Sequence, residues 1–173
     1  MKTISKVFFV LLSAVFFAYL ALPGPEFPPP PPDAVQSLEK ADQETPLRRA
    51  YFTNFTRQEV VDYYREVFGK SPWDLPLPSI RLNYPPEDAQ TLIRDQTRST
   101  FLEEIVHPFR ESLYIDGFEP KNPKDDVWYK GIDFRQKIII KYNPSSVFVR
   151  IGVALLTIFA AAFLVKEWLY GQA

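Results

Sequence analysis

Apolar and polar positions fall along this chain in three regimes. Residues 7–22 read VFFVLLSAVFFAYLAL and residues 147–165 read VFVRIGVALLTIFAAAFLV, and Arg150 is the one charge in either run. Between them the pattern alternates on the short periods of strands and helices. A helix needs about 20 apolar residues to cross a bilayer core, within a range of roughly 17–25. The second run meets that length if Arg150 snorkels to the near headgroups. Lys166 then ends the span, and Trp168 and Tyr170 suit the far interface. A buried core helix is the competing explanation, but a domain this small cannot cover such a helix on all sides. The first run is shorter, and Lys2 and Lys6 ahead of it give the layout of a secretory signal. Cleavage after Ala21 would put Tyr19 where a small residue belongs. The expectation is an uncleaved signal anchor; a cleaved signal, leaving one span, is the alternative.

In the middle region, residues 49–55 (RAYFTNF) read as a strand. Thr56 then opens a helix, because Thr56 and Glu59 fit a capping box. Val60, Val61, Tyr64, Val67 and Phe68 recur on one face until Gly69 stops it. Residues 71–78 carry three prolines and read as a loop. Residues 79–84 alternate as a strand, with Ile80, Leu82 and Tyr84 on one side. Pro85, Pro86, Glu87 and Asp88 suit a second helix start, with Ala89, Leu92 and Ile93 inward. Thr100–Val106 reads both ways: its period is helical, its Ile-Val end favours a strand, and His107-Pro108 breaks either. Ser112–Phe118 reads as a strand. Val127–Tyr129 and residues 132–142 flank Lys130 and Gly131, the signal of a hairpin. Along the second arm Ile132, Phe134, Gln136, Ile138, Ile140 and Tyr142 share one face. Asp133, Arg135, Lys137, Ile139 and Lys141 share the other.

The expected fold is therefore α+β: a small antiparallel sheet with about two helices, flanked by an N-terminal and a C-terminal transmembrane helix. The expected divisions are a signal anchor at 1–22, a proline-rich linker at 23–47, the α+β domain at 48–146, a transmembrane helix at 147–166 and a short tail at 167–173. Residues 23–32 carry consecutive prolines, which favour a stiff polyproline rod rising about 3.1 Å per residue. A spacer is expected; docking to a proline-recognition module is the alternative. Residues 33–47 read as linker or a loosely held helix.

Charge and composition narrow the function. Residues 23–146 hold 16 Lys and Arg against 20 Asp and Glu, a net charge of −4, which argues against nucleic acid. The chain has no cysteine, which excludes disulfides, thiolate zinc sites, iron–sulfur clusters and cysteine nucleophiles. Lys2, Lys6 and Lys166 place both ends in the cytoplasm and the central domain outside a cell (inner) membrane; Lys141 and Arg150 argue the other way. Ala14 and Ala18 on the first helix, and Gly152, Ala154 and Ala160 to Ala162 on the second, offer small surfaces for helix packing, within one chain or in a homo-oligomer.

The chemistry-bearing residues are sparse. His107 is the one histidine and reads as a partly exposed structural residue. Asp125 and Asp126 read as turn residues. No nucleophile elbow, zinc-protease or phosphate-loop motif occurs, so no catalytic, cofactor or metal residue is assigned. Glu103, Glu104 and Glu111 would serve acid–base chemistry only if a cleft gathered them. Arg94 and Arg98 read as a surface pair with Asp95. Arg135, Lys137 and Lys141 form a basic stripe which, with Arg150, would contact anionic lipid or a partner; the same charges also suit the solvated face of an edge strand. Asn54, Phe55 and Thr56 match a glycosylation acceptor, although capping already accounts for Thr56. The functional expectation is a membrane-anchored interaction or scaffold protein, with the bilayer and a protein as partners. The alternatives are a ligand-sensing subunit that couples its domain to the C-terminal helix, and a carboxylate-dependent envelope hydrolase.

Overall fold

A computed structural model describes residues 2–70, 74–85, 99–121 and 123–170. The chain forms two compact units: residues 24–144, and the two terminal stretches 1–23 and 145–173 together. The expected second helix after Pro85, with Ala89, Leu92, Ile93, Arg94 and Arg98, lies outside the described residues.

The larger unit is α+β. Among the described residues its main sheet has six antiparallel strands in the order β1-β2-β8-β5-β4-β3. They are β1 (Val35–Gln36), β2 (Arg48–Thr53), β3 (Ile80–Tyr84), β4 (Thr100–Val106), β5 (Ser112–Phe118) and β8 (Gln136–Asn143). β6 (Val127–Tyr129) and β7 (Ile132–Phe134) pair apart from it as a hairpin. Lys130 and Gly131 turn that hairpin with φ of 52° and 79°, the double left-handed geometry of a type I′ turn.

Helix α2 (Arg57–Phe68) crosses one face of the sheet between β2 and β3. Its capping box is formed: Thr56 Oγ1 accepts from the Glu59 N–H, and the Glu59 carboxylate accepts from the Thr56 N–H at 2.7 Å. Val60, Val61, Tyr64 and Phe68 then pack against Tyr51, Phe101, Ile105, Leu113, Ile115, Ile138 and Ile140. Phe101 lies across Gly117, its cross-strand partner; a Cβ there would come within 2.1 Å of the ring.

Four expectations about this unit change. Residues 132–142 are not one strand. Arg135 gives its N–H to Asn54 Oδ1 instead of a ladder partner, and the chain passes there from the hairpin into β8. Phe134 and Tyr129 meanwhile pack on Phe52, with Tyr129 stacked at 4.2 Å. The two-way reading of Thr100–Val106 resolves as a strand inside the sheet, because Glu103 and Glu104 find polar partners on opposite faces. The prolines expected to stand off as a spacer instead lie against the domain. Pro28 and Pro31 are buried, Tyr63 donates its hydroxyl to the Pro30 carbonyl at 2.8 Å, and Arg49 stacks 4.4 Å over Phe27. Asp33 fixes the end of this strap by accepting from Thr53 Oγ1 and the Asn54 N–H. Residues 33–47, expected to be loose, supply β1 and a short 3-10 turn at Lys40–Gln43.

In the smaller unit, α1 (Lys2–Ala21) and α3 (Val147–Tyr170) lie in contact. At 1.5 Å per residue α3 is about 36 Å long, enough for a hydrocarbon core of about 30 Å, and its apolar side chains are nearly all uncovered. The apolar part of α1, Val7–Ala21, extends only about 22 Å on the same rise. Among the described residues one helix is therefore long and apolar enough to cross a membrane, where two were expected. Arg150 does not reach outward to headgroups: its side chain is buried and Nη2 donates to the Leu22 carbonyl at 3.1 Å, just past the end of α1. Ala14, Ala18 and Ala160 to Ala162 are exposed. The more covered positions are Ser13, Phe16, Phe17, Tyr19 and Leu20 on α1, and Val147, Arg150, Ile151, Gly152 and Ala154 on α3, most of them at the three- and four-residue spacing of one helical face.

Candidate functional site

Strand alternation sends each side chain of β4 and β5 to one of two faces, and the acids there meet different surroundings. Glu103 faces α2 and is fully buried. Arg57 Nη2 and Arg81 Nε reach its two oxygens at 2.6 and 2.7 Å. Burial alone would raise its pKa, but the hydrogen bonds and charges of Arg81 and Arg57 outweigh that and hold it below the ordinary value. Arg57 also lies 4.9 Å over the Phe101 ring. This clamp ties α2, β3 and β4 together.

The opposite face carries two cross-strand rows. Leu102, Asp116, Ile139 and Ala50 form one row, and Glu104, Tyr114, Lys141 and Arg48 the next. Together with Glu44, Thr45 and Asn143, six side chains across β4, β5, β8 and β2 bound a groove of about 400 Å³; they include Leu102, Asp116, Ile139 and Lys141. At one end Tyr84 donates its hydroxyl to Glu104 at 2.5 Å, a bond that raises the tyrosine pKa. At the other, Glu44 pairs with Arg48. Asp116 makes no hydrogen bond or ion pair among the described residues, and burial pushes its pKa up to about 6 against the attraction of Arg48. A second cavity, of about 520 Å³, lies between the proline strap and the end of α2, lined by Phe27, Pro28, Val67, Phe68 and Lys70 among others.

His107 is buried rather than partly exposed. Pro108, Phe109 and Arg110 carry the chain from β4 to β5, and this turn folds His107 inward against Phe68, the rings stacked at 4.4 Å. His107 Nδ1 lies 3.0 Å from Glu111 Oε1, and Arg110 Nη2 donates to the same oxygen at 3.0 Å. Burial would raise the Glu111 pKa, but the His107 bond and the Arg110 charge bring it below the ordinary value. Glu103, Glu104 and Glu111 thus occupy three separate surroundings. Among the described residues no three His, Asp or Glu side chains converge on a metal position.

The basic stripe is divided. Arg135 pairs with Glu119 at 2.7 Å. Lys137 pairs with Asp42 at 2.8 Å and lies over the Phe52 ring. Lys141 is exposed in the groove and has no ion pair among the described residues. Arg150 sits in the helical unit. Asn54 accepts from Arg135, and Thr56 serves the cap, so both ends of the glycosylation pattern have local roles. Asp116 was missed by the sequence reading, although an acid between Ile115 and Gly117 inside an alternating strand is the signal that marks it. Arg48 and Glu44 carry no such mark, because their role comes from the pairing of β2 with β8. Comparison of the chain with protein-family models, curated proteins and solved structures finds no match.

Proposed function

We propose that this chain is a membrane-anchored interaction protein whose α+β unit works outside the cytoplasm, with the sheet face opposite α2 as its binding surface. The observation that carries this reading is the contrast within one chain between α3, apolar and uncovered, and an α+β unit whose sheet face opposite α2 holds a groove of about 400 Å³. The bilayer is then the first partner and a protein or envelope component the second. The short α1 is read as a signal anchor beside α3, to which the bond of Arg150 with the Leu22 carbonyl joins it. To test the placement, a cysteine is put at Asp133, an exposed position in a cysteine-free chain. Labelling by a membrane-impermeant maleimide on intact cells is expected. Labelling only after lysis would place the domain inside and end this reading.

One observation favours a second reading, a ligand-sensing subunit. Ile139, Lys141 and Asn143 of β8 line the groove, and β8 runs into α3 after Pro144, Ser145 and Ser146. A ligand held there touches the strand that leads to the membrane helix. A Gly-Ser insertion at 144–146 is expected to abolish any ligand-dependent change in α3, read by a spin label on that helix. An undiminished change would remove the sensor reading. The hydrolase reading has no such support, since its three acids face separate surroundings.

A further inference from the structure

Two charged groups of the groove have no ion pair among the described residues. Asp116, half-buried in the row of Leu102 and Ile139, has neither hydrogen bond nor ion pair among the described residues. An ionised carboxylate in such surroundings is costly unless a cation meets it. Lys141 stands one residue pair along β8, diagonal to Asp116 on the same face, at a backbone separation of about 7–8 Å typical of such neighbours. The other charges around the groove are engaged: Arg48 by Glu44, and Glu104 by Tyr84. What remains is one anion and one cation, a short span apart, beside the two aliphatic side chains of Leu102 and Ile139. The groove's 400 Å³ lies within the size range of small-molecule sites, roughly 300–1,000 Å³.

We propose that this groove binds a small zwitterion of the amino-acid class, with Asp116 accepting from its ammonium group, Lys141 donating to its carboxylate, and Leu102 and Ile139 packing against its apolar side chain. Charge complementarity selects this occupant. A simple cation would leave Lys141 unmatched, and a simple anion would leave Asp116 unmatched. The proposal rests on the reading of this face as a binding surface and names what it takes there.

The test uses the full chain in lipid nanodiscs and three probes: leucine, leucinamide, which keeps only the ammonium, and N-acetyl-leucine, which keeps only the carboxylate. Binding is read from amide resonances of β5 and β8 and from the midpoint of thermal unfolding. Leucine is expected to bind at least tenfold more tightly than either half-ligand. Asp116→Asn should weaken leucine about tenfold or more and leave N-acetyl-leucine unchanged; Lys141→Gln should weaken leucine similarly and leave leucinamide unchanged. Asp116→Asn keeps the side-chain shape and Lys141→Gln falls at an exposed position, so both are expected to remain folded, which their amide spectra report directly. Equal leucine affinity in wild type and both variants would overturn the proposal, as would the absence of any response in β5 and β8 to all three probes. Those failures are separable from failure of the membrane-anchored reading, which the maleimide experiment decides without any ligand.

Discussion

Two carboxylates on neighbouring strands of one sheet, Glu103 on β4 and Asp116 on β5, face opposite ways and meet opposite fates. Glu103 sits beneath α2 and is gripped by Arg57 and Arg81, so burial does not neutralise it. Asp116 sits on the opposite face with no hydrogen bond or ion pair among the described residues, and burial raises its pKa against the attraction of Arg48. A buried acid with its hydrogen bonds made holds elements together. A buried acid without them weakens the fold and is free to meet something else. By this measure the α2 face is the stabilising half of the domain, and the opposite face is the half proposed to bind.

The comparison breaks most severely if the grip on Glu103 is removed. Glu103→Ala leaves two guanidinium groups without their shared carboxylate. Both are partly exposed, so the expected loss is about 2–4 kcal/mol, at or below the usual cost of breaking a buried pair. Urea unfolding followed by circular dichroism measures it. A loss below about 0.5 kcal/mol would mean that the clamp does not organise this face. Next comes Gly117→Ala, which drives a methyl group into the Phe101 ring; overpacking of this kind costs roughly 1–3 kcal/mol. The same unfolding curves check it.

Asp116→Asn should go the other way. Because the folded pKa is raised from 3.8 to about 6, the native state binds the proton more tightly than the unfolded chain. Its contribution to stability is fully present below the unfolded value and is lost as pH rises through about 6. Asparagine does not titrate, so the variant should be more stable than wild type by about 1–2 kcal/mol at pH 7 and should lose that advantage near pH 4. Glu103 has the opposite sign: its lowered pKa gives stability that is present above the ordinary glutamate range and disappears as pH falls through the folded value. Unfolding midpoints across pH 4–8 for wild type and Asp116→Asn separate the two signs. The smallest effect expected is that of Thr56→Ala, which opens the capping box and costs about 1 kcal/mol.

The α2 face was the legible one. The capping box, the apolar stripe of α2 and the alternation of β5 and β8 are local patterns, and each appears at the positions the sequence indicates. What was not legible depends on distant pairing. Arg81 and Glu103 are 22 residues apart in sequence, and Arg48 enters the groove only because β2 lies beside β8. The strap was misread because proline stiffness is local information, whereas Tyr63 and Arg49, which hold the strap down, lie far along the chain. The basic stripe was read as one feature because its residues share a strand pattern, yet Glu119 and Asp42 neutralise two of its three members.

The contrast between the two acids is tested most directly by carbon-13 carboxyl NMR of the full chain in nanodiscs across pH 3–8, with Asp116 and Glu103 assigned by mutation. The account predicts that Asp116 titrates near pH 6 while Glu103 stays ionised to well below its ordinary value of 4.5. Titration of both groups near pH 4 would contradict it, because the two faces of the sheet would then not differ in the property on which the proposed division of labour rests.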